Sequence, residues 1–483
     1  RPISVFSLWW RCYASTWVLG AASAKWREEN FPDEVVGGAG SLGAEETAAN
    51  FFEAYAEQQK GGTLDYSQCY DMLCPELAVH ILECAGYDAK VAKVLSFVWT
   101  HQRRWLEWDG EIAAVPLSAD ALPQGDPYGP LVLNTTMWAG YTIVTAKLKE
   151  NHERVVREDR RKKAEKGSRA RRRALPIRKA AKHEIYMDDR SWTSPDATNA
   201  VAPVRIWSEF SEAAMLKENP IKIQLAGKAV RDLDELRTEL RGLGEYGTKL
   251  EEKLKTTIEV LGAETVPARG RGVSKKEKQR IEETKKALRT VSVLPVSKNL
   301  KRVYVKTLAL SKCPYGWLGR TMPPKTAGEL FQSAIGAIGG SMARANKELK
   351  KFLMGDLHPT CMILQRIVNI LQTMRWRSGT NVRRPLKWNK HSGGFVTNVR
   401  REMKQHGWRE QHEFHWNHLE SAQEVILEQV PPDGPKKAVL NRTAHRVREA
   451  WRADCYKKWQ ATGGRVAKLA AECPYSEARA KKR

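Results

Sequence analysis

Two adjacent aspartates, Asp188 and Asp189, end the string IYMDD at 185–189. Apolar residues that run into a pair of acids predict a strand followed by a tight turn, where both carboxylates can point at one spot while the backbone stays rigid. Mg²⁺ takes oxygen ligands, usually one or two carboxylates together with phosphate oxygens. The pair is therefore a candidate cation site. By itself, however, a DD dipeptide is more often ordinary turn chemistry, because aspartate is common in turns.

A second acid that could share such a site is Asp65, in the string TLDYSQCYD at 63–71. We expect a short strand over Thr63–Tyr66, with the chain then turning toward a helix. Two cations about 3.5 to 4 Å apart can stabilise both the attacking hydroxyl and the departing pyrophosphate of an in-line displacement. Three acids on two neighbouring strands are the smallest protein contribution to that chemistry.

The elements that must position these acids follow from hydrophobic period and turn residues. Before the acid pair we predict a helix over Glu45–Gln59 ended by Gly61-Gly62, a helix bracketed by Pro75 and Gly86, a helix over Ala89–His101, a hairpin around Asp109-Gly110 and a helix from Pro130 to Glu150. A basic segment over 154–182 then reads as an exposed insertion. After it we predict a strand and turn over Glu184–Thr193, a helix carrying Val204, Trp207 and Phe210, a strand over Ile221–Leu225 and charged helices over 229–290.

The chain of 483 residues is strongly basic, with a formal net charge of +25 and a pI near 9.7. Such a surface attracts polyanions. Nucleic acid is favoured over an acidic membrane, because the basic stretches alternate with tryptophans instead of lining one amphipathic helix. Apolar residues make up 42% of the chain, which is enough for a substantial core divided among two or three compact units.

Cysteine usage and the first residues bear on the compartment. The 8 cysteines form no CxxC pair and predict reduced thiols in an intracellular protein. Residues 1–24 superficially suit a signal peptide, but Arg11, Cys12 and Tyr13 interrupt the apolar run, so we expect neither secretion nor a membrane span. A first residue other than Met indicates a fragment of something longer.

Six strings give the acids a context through their order along the chain. Taken together, they resemble successive motifs of the reverse transcriptases of non-LTR, LINE-type retrotransposons, over about residues 1–265. The strings are RPIS at 1–4, LDYSQCYD at 64–71, LPQGDPYGP at 122–130, YMDD at 186–189, LKENPIK at 216–222 and EVLGA at 259–263.

The resemblance implies an α+β fold, the right-hand polymerase, in which fingers and palm carry an antiparallel sheet and a helical thumb and a basic helical C-terminal region follow. The implied domains are partial fingers at 1–60, a palm at 61–265 that includes the basic insertion, a thumb at 266–345 and a Trp-rich connector at 346–483. The implied activity is RNA-directed DNA polymerase, with an RNA template, a DNA primer and dNTPs as partners, no membrane, and a location in nucleus and cytoplasm.

The resemblance also implies roles for single residues. Asp65 and Asp188 would bind two Mg²⁺ ions, with Mn²⁺ as an alternative, and Asp189 would support them. Lys222 would approach the triphosphate and protonate the leaving pyrophosphate. The residues implied to contact the nucleotide are Arg1, Tyr66, Tyr70, Gln124 and Gly125, and those implied to form the primer grip are Leu261 and Gly262. Tyr70 would reject ribonucleotides by steric clash, although an ordinary core tyrosine is an equal alternative.

Other interpretations stay open. Gly129 stands where the family usually has serine, and the residues before YMDD are unusually polar, which suits a catalytically decayed, nucleic-acid-binding relative. An RNA-dependent RNA polymerase or an intron maturase would share the palm acids, although Tyr186 and Tyr70 favour DNA synthesis. Near the C-terminus, four histidines at spacings typical of one helical face suggest either a metal site or an aromatic patch, packed or stacking on RNA, and the incomplete ligand set favours the patch. They are His406, His412, His415 and His418.

Overall fold

The structure is a computed structural model that describes residues 7–37, 43–101, 104–115, 121–123, 125–165, 181–265, 273–318, 322–339, 345–378, 394–429 and 436–464. Its elements form a mixed α+β fold in two compact units. The first unit comprises Arg1–Thr47 and Glu57–Leu261, and the second comprises Ala48–Ala56 and Gly262–Arg483. The predicted boundaries of fingers, palm, thumb and connector stay a prediction.

A six-stranded sheet is the centre of the first unit. Its strands are β1 (Val35–Val36), β2 (Lys60–Leu64), β5 (Lys182–Tyr186), β6 (Asp189–Ser194), β7 (Gln224–Gly227) and β8 (Leu254–Lys255), and a separate hairpin supplies β3 (Arg104–Trp108) and β4 (Glu111–Val115). The spatial order is β1-β5-β6-β2-β7-β8. The central pairs are antiparallel, as expected, but β1 with β5 and β7 with β8 are parallel. The expectation of a purely antiparallel sheet is therefore wrong at both edges. Parallel pairing is possible there because helical connections of sufficient length precede β5 and β8.

Helices make up most of the rest of the first unit. They are α1 (Leu8–Leu19), α2 (Ala21–Asn30), α3 (Ala44–Gln58, which has residues in both units), α4 (Cys69–Met72), α5 (Pro75–Cys84), α6 (Ala89–His101), α7 (Gly129–Glu165), α8 (Ala197–Ala213), α9 (Val230–Arg241) and α10 (Gly244–Glu251). Helix α8 packs on β2 and β6. There the Trp192 indole is fully buried and donates to the Ala200 carbonyl at 2.8 Å.

Several local predictions are confirmed. Helix α5 begins at Pro75, as its fixed φ favours, and α6 has the predicted bounds. The hairpin of β3 and β4 turns at Asp109-Gly110, where φ values of 51° and 84° fit the type I′ turn that this dipeptide favours. Short-range turn chemistry is enough to predict elements of this kind.

Gly61-Gly62 does not end a helix, as the sequence suggested, but lies inside β2. Helix α3 ends before Gln59, whose φ of 73° is left-handed. A Cβ on Gly62 would lie 2.3 Å from Cζ2 of its cross-strand partner Trp192. Glycine is needed there because the large indole lies directly on the backbone of β2.

Two other boundaries are also corrected. Helix α7 continues past Glu150 to Glu165, into the segment predicted to be an exposed insertion, because arginine, lysine and glutamate are good helix formers. Residues 166–180 of that segment lie outside the described residues. Strand β7 begins at Gln224 instead of Ile221.

The second unit is mainly helical. Its helices are α11 (Lys275–Val293), α12 (Lys298–Tyr304), α13 (Pro324–Ile338), α14 (Lys347–Leu353), α15 (Pro359–Ser378), α16 (Phe395–Gln405) and α17 (Lys436–Gln460), with a π-helical turn at Val305–Ala309 and a 3₁₀ turn at Gly355–Leu357. A three-stranded antiparallel sheet follows α16, formed by β11 (Trp408–His412), β12 (His415–His418) and β13 (Glu424–Ile426).

The C-terminal histidines therefore do not share a helical face, because three of the four lie on adjacent strands. His418 pairs with Trp408 across β11 and β12, and both are buried. Trp416 is buried as well. Trp408, Phe414, Trp416 and His418 are packed in a core, whereas His412 is exposed and His415 is half-buried, so stacking on RNA stays a prediction for these two. No helix in the described ranges is both long and apolar enough to span a membrane.

The contact between Gly62 and Trp192 predicts the effect of a single methyl group. Gly62→Ala should lower the free energy of unfolding of the first unit by roughly 1–3 kcal/mol, as overpacking of a tight core does. Urea unfolding followed by tryptophan fluorescence measures it. Gly328→Ala is the control. Gly328 lies inside helix α13, and a Cβ added there would meet nothing within 4 Å. This substitution should be neutral or should stabilise the protein by roughly 0.5–1 kcal/mol. Equal stability of the two variants would contradict the packing argument.

Candidate active site at one end of the central sheet

Strand pairing brings Asp65 and Asp189 side by side. Strands β2 and β6 pair Thr63 with Ser191 and Leu64 with Arg190. Asp65 and Asp189 each adjoin this last pair, one next to each partner, and the negative charge of Asp65 is among the causes that raise the pKa of Asp189. Two acids that are far apart in the sequence therefore meet at one end of the sheet.

The third acid, Asp188, lies in the two-residue turn between β5 and β6, where Tyr186 pairs with Asp189. Met187 has a φ of 58° and Asp188 does not have a positive φ, which is the pattern of a type II′ turn. A left-handed methionine is strained, and such strain persists only where neighbours hold it. Here the Met187 amide donates to the Val36 carbonyl at 3.1 Å, and its side chain is packed against the core and Gly37.

The loop after α8 brings Lys222 to the acids. The Asn219 amide donates to the Asp65 carbonyl at 2.9 Å, and the Lys222 amide donates to the Asn219 carbonyl at 3.0 Å. The Lys222 ammonium donates a hydrogen bond to Asp65 Oδ2. This hydrogen bond is the main reason why the pKa of Lys222 is raised, with the charge of Asp65 adding to it. The side chain remains 56% exposed, so the ammonium is accessible from solvent.

The acids carry excess negative charge. Burial, followed by the negative charges of Asp65 and Asp188, raises the pKa of Asp189 to about 7, while Lys222 and Arg190 oppose the shift. Burial and like charges are the two standard causes of such a shift. One lysine and one arginine therefore do not neutralise the cluster.

The donor chemistry of the three aspartates fits Mg²⁺ or Mn²⁺, because all their ligand atoms are carboxylate oxygens and their charge is only partly balanced. Within the described ranges, however, no three or more His, Cys, Asp or Glu side chains are arranged as a ready set of metal ligands. Lys222 also donates a hydrogen bond to Asp65, so the ammonium takes a carboxylate oxygen that a cation would need.

Tyr70 lies near the acids, as the nucleotide-contact prediction requires. It is half-buried, and burial followed by the charge of Asp188 raises the pKa of its hydroxyl. A Cβ on Gly129, at the start of α7, would lie 3.1 Å from Tyr70 Cε1. The missing side chain at 129 thus allows the tyrosine ring to approach the helix closely.

A buried acid, Asp126, holds the loop that contains Gly125. Its Oδ2 accepts from the indoles of Trp10 and Trp99, each at 2.9 Å, and its Oδ1 accepts from the Tyr128 amide at 2.8 Å. Gly125 is exposed and has a φ of 103° that favours glycine. No local pattern marks Asp126 for this role, because two of its three donors come from distant helices.

The Tyr66 side chain is 0% exposed and lies in the core, and its predicted nucleotide contact stays a prediction. Its hydroxyl hydrogen-bonds with Ser211 Oγ at 3.0 Å, and the Arg190 guanidinium lies 3.6 Å from its ring centre. Arg190 itself was missed as a candidate. Its two-residue spacing from Trp192 on one strand is the signal that could have placed it in the core.

The remaining predicted residues lie elsewhere. Arg1 and Gln124 fall outside the described residues. Leu261 and Gly262, with φ values of 50° and 75°, form the turn between β9 (Glu259–Val260) and β10 (Ala263–Glu264). The Gln224 side chain anchors β9 by bonding both backbone groups of Glu259. In the second unit, Arg280 donates to the Gly262 carbonyl at 2.7 Å.

No protein-family profile matches the sequence, and no curated protein matches it. Among solved structures the chain is similar to telomerase from Candida albicans in complex with a TWJ fragment of telomeric RNA, with a TM-score of 0.31 and 10% sequence identity. The match covers 80% of this chain and 57% of that chain, so this chain spans little more than half of the telomerase.

The pKa of Asp189 predicts an unusual pH dependence of stability. The unfolded chain ionises this carboxyl near its ordinary value of about 3.9, whereas the folded protein does so at about 7. Between these two values the folded state binds more protons than the unfolded state. The free energy of unfolding therefore falls as the pH rises through this range. Asp189→Asn should therefore raise the melting temperature in EDTA at pH 8 and change it little at pH 4. A smaller gain at pH 8 than at pH 4 would contradict this charge balance.

Proposed function

We propose that this chain is a template-directed nucleic-acid polymerase and, more narrowly, an RNA-directed DNA polymerase of a non-LTR retrotransposon. The reaction would be nucleotidyl transfer from a dNTP to a primer 3′-hydroxyl. The observation that carries the proposal is the meeting of Asp65, Asp188 and Asp189 with Lys222 at one end of an antiparallel strand pair. The net charge of +25 supports an RNA template and a DNA primer as partners.

In this proposal Asp65 and Asp188 hold two Mg²⁺ or Mn²⁺ ions, and Asp189 supports them. The cations, when bound, supply electrostatic stabilisation to the attacking and leaving oxygens. The contribution of the protein is to hold the three aspartates in fixed positions. The β2–β6 register fixes Asp65 beside Asp189, and the hydrogen bond from Met187 to Val36 holds the turn that carries Asp188.

Lys222 is proposed to act on the leaving group. Its raised pKa keeps the ammonium protonated at neutral pH, so it can donate a proton or a hydrogen bond to pyrophosphate. General acids of this kind typically contribute 10²–10⁴ in rate. Its exposure allows it to leave Asp65 and reach a triphosphate.

Tyr70 is proposed to favour deoxyribonucleotides. Its half-buried ring is packed against the core and lies near Asp188. A ring fixed in this way can exclude a 2′-hydroxyl by clash. The alternative with the same acids is an RNA-dependent RNA polymerase or an intron maturase, which the choice of nucleotide would reveal. Action in the nucleus and cytoplasm belongs to the same proposal.

A second candidate function is nucleic-acid binding without catalysis. It is favoured by the hydrogen bond of Lys222 to Asp65 and by the lack of a ready set of metal ligands among the described residues. A decayed enzyme would keep the basic surface and the fold while losing cation affinity.

Primer extension tests the proposed function. The protein should extend a DNA primer on an RNA template with Mg²⁺, preferring dNTPs over rNTPs, and Asp188→Ala should reduce product to background because a cation ligand is lost. Asp234→Ala is the control, since this carboxylate lies 60% exposed on α9. Wild-type protein that binds primer–template but never extends it, with Mg²⁺ or Mn²⁺, would establish the binding protein instead. Equal use of rNTPs would point to the RNA polymerase.

Lys222→Met tests the leaving-group role separately. It should lower kcat for incorporation by roughly 10²-fold or more and leave the Kd for primer–template nearly unchanged. Lys249→Met, at a 72% exposed position on α10, is the matched control for loss of one positive charge. Single-turnover incorporation measures the rate. An unchanged rate for Lys222→Met would show that this lysine only balances the charge of Asp65.

A further inference from the structure

Arg190 is a fully buried cation directly behind the acids. Its side chain is 0% exposed. It forms a two-pronged ion pair with Glu218, with Nη1 at 2.8 Å from Oε1 and Nη2 at 2.7 Å from Oε2. The guanidinium also lies over the rings of Tyr66 and Trp207, at 3.6 and 5.1 Å from their centres.

An ion pair in this position is not explained by stability. Removing both charges from water is expensive, and well-packed apolar residues of similar volume often serve as well or better. Arginine differs from lysine in having a planar fork that bonds a carboxylate in one fixed orientation and stacks on aromatic rings. The contacts of Arg190 therefore specify geometry more than they add stability.

The network reaches the segments that carry Asp65, Asp189 and Lys222. Arg190 follows Asp189, and Tyr66 follows Asp65. Glu218 forms a backbone bridge with Tyr66 and lies in the loop that ends at Lys222. Ser211 connects the parts, since its Oγ lies 2.5 Å from Glu218 Oε1 and 3.0 Å from the Tyr66 hydroxyl.

We propose that the Arg190–Glu218 pair is a positioning device, here called the buried clamp, which fixes Asp65, Asp189 and Lys222 relative to one another. This inference deepens the proposed function and rests on it for the chemistry. Arg190 and Glu218 are positioning residues, because neither is proposed to touch substrate. Groups that orient metal-binding side chains from behind typically affect metal affinity or activity by 10–100-fold.

The test removes the clamp while keeping the core filled. Arg190→Met together with Glu218→Leu replaces both charges by apolar side chains, which avoids an unpaired buried charge. We expect a melting temperature near that of the wild type and an unchanged Kd for primer–template. The kcat for dNTP incorporation should fall about 10–100-fold, and half-maximal stabilisation by Mn²⁺, measured by thermal shift without nucleic acid, should need about 10-fold more metal.

A second buried pair provides the matched control. The Lys60 ammonium lies 3.0 Å from Asp232 Oδ1, with side chains 3% and 2% exposed, at the opposite end of strand β2. Lys60 lies five positions before Asp65 along the strand, which is roughly 17 Å. Lys60→Met with Asp232→Asn removes a comparable pair, and Asn keeps an acceptor for the Ala229 amide that caps α9. It should leave kcat and the Mn²⁺ midpoint unchanged.

The outcomes separate the clamp from the function. A folded clamp variant with wild-type kcat and a wild-type Mn²⁺ midpoint would overturn the clamp and leave the polymerase proposal intact. A wild-type protein that never extends a primer, but whose Mn²⁺ midpoint shifts in the clamp variant and not in the control, would support the clamp and refute the polymerase. If the clamp variant does not fold, Glu218→Gln, which keeps the side-chain shape, must show the same Mn²⁺ shift, or the inference fails.

Discussion

Like charge gathered at the end of two neighbouring strands is the constraint on which the first unit depends. The β2–β6 register brings Asp65 close to Asp189, and like charges that lie close together on a sheet are destabilising. Lys222 offsets part of this repulsion by bonding Asp65, yet burial, followed by the charges of Asp65 and Asp188, keeps the pKa of Asp189 raised to about 7. In the proposed function, this arrangement gives up stability for a place where cations can bind.

The surroundings of the acids are correspondingly rigid. Gly62 lets the Trp192 indole lie directly on strand β2, and the buried clamp fills the space behind the acids with bonded charge. The turn at Met187 holds a left-handed backbone because strand β1 bonds it. Each of these features lowers the stability locally, and favourable packing on helix α8 and the sheet must offset this loss. Rigid support from regular elements is what a site needs when its catalysis depends on position.

The two ways of accounting for the site differ in how they treat Lys222. In a polymerase, its bond to Asp65 is a resting contact that a cation and a triphosphate replace. In a decayed binder, the same bond is permanent and the lysine substitutes for the metal charge. The half-exposed ammonium is compatible with the first account, because it can leave Asp65 without crossing a packed core. The acids and their support are the same in both.

Local sequence determined the parts of this protein that depend on neighbours along the chain. The hairpin at Asp109-Gly110, the start of α5 at Pro75 and the acid-bearing turn after Ile185 follow from turn chemistry and hydrophobic period. Only the tertiary structure decided that Tyr66 points inward, that Gly61-Gly62 belongs to a strand and that the C-terminal histidines lie on a sheet. The buried clamp and the Asp126 loop also depend on partners distant in sequence. Period and turn chemistry report on residues a few positions apart, whereas a buried charge is explained only by the distant groups that fold against it.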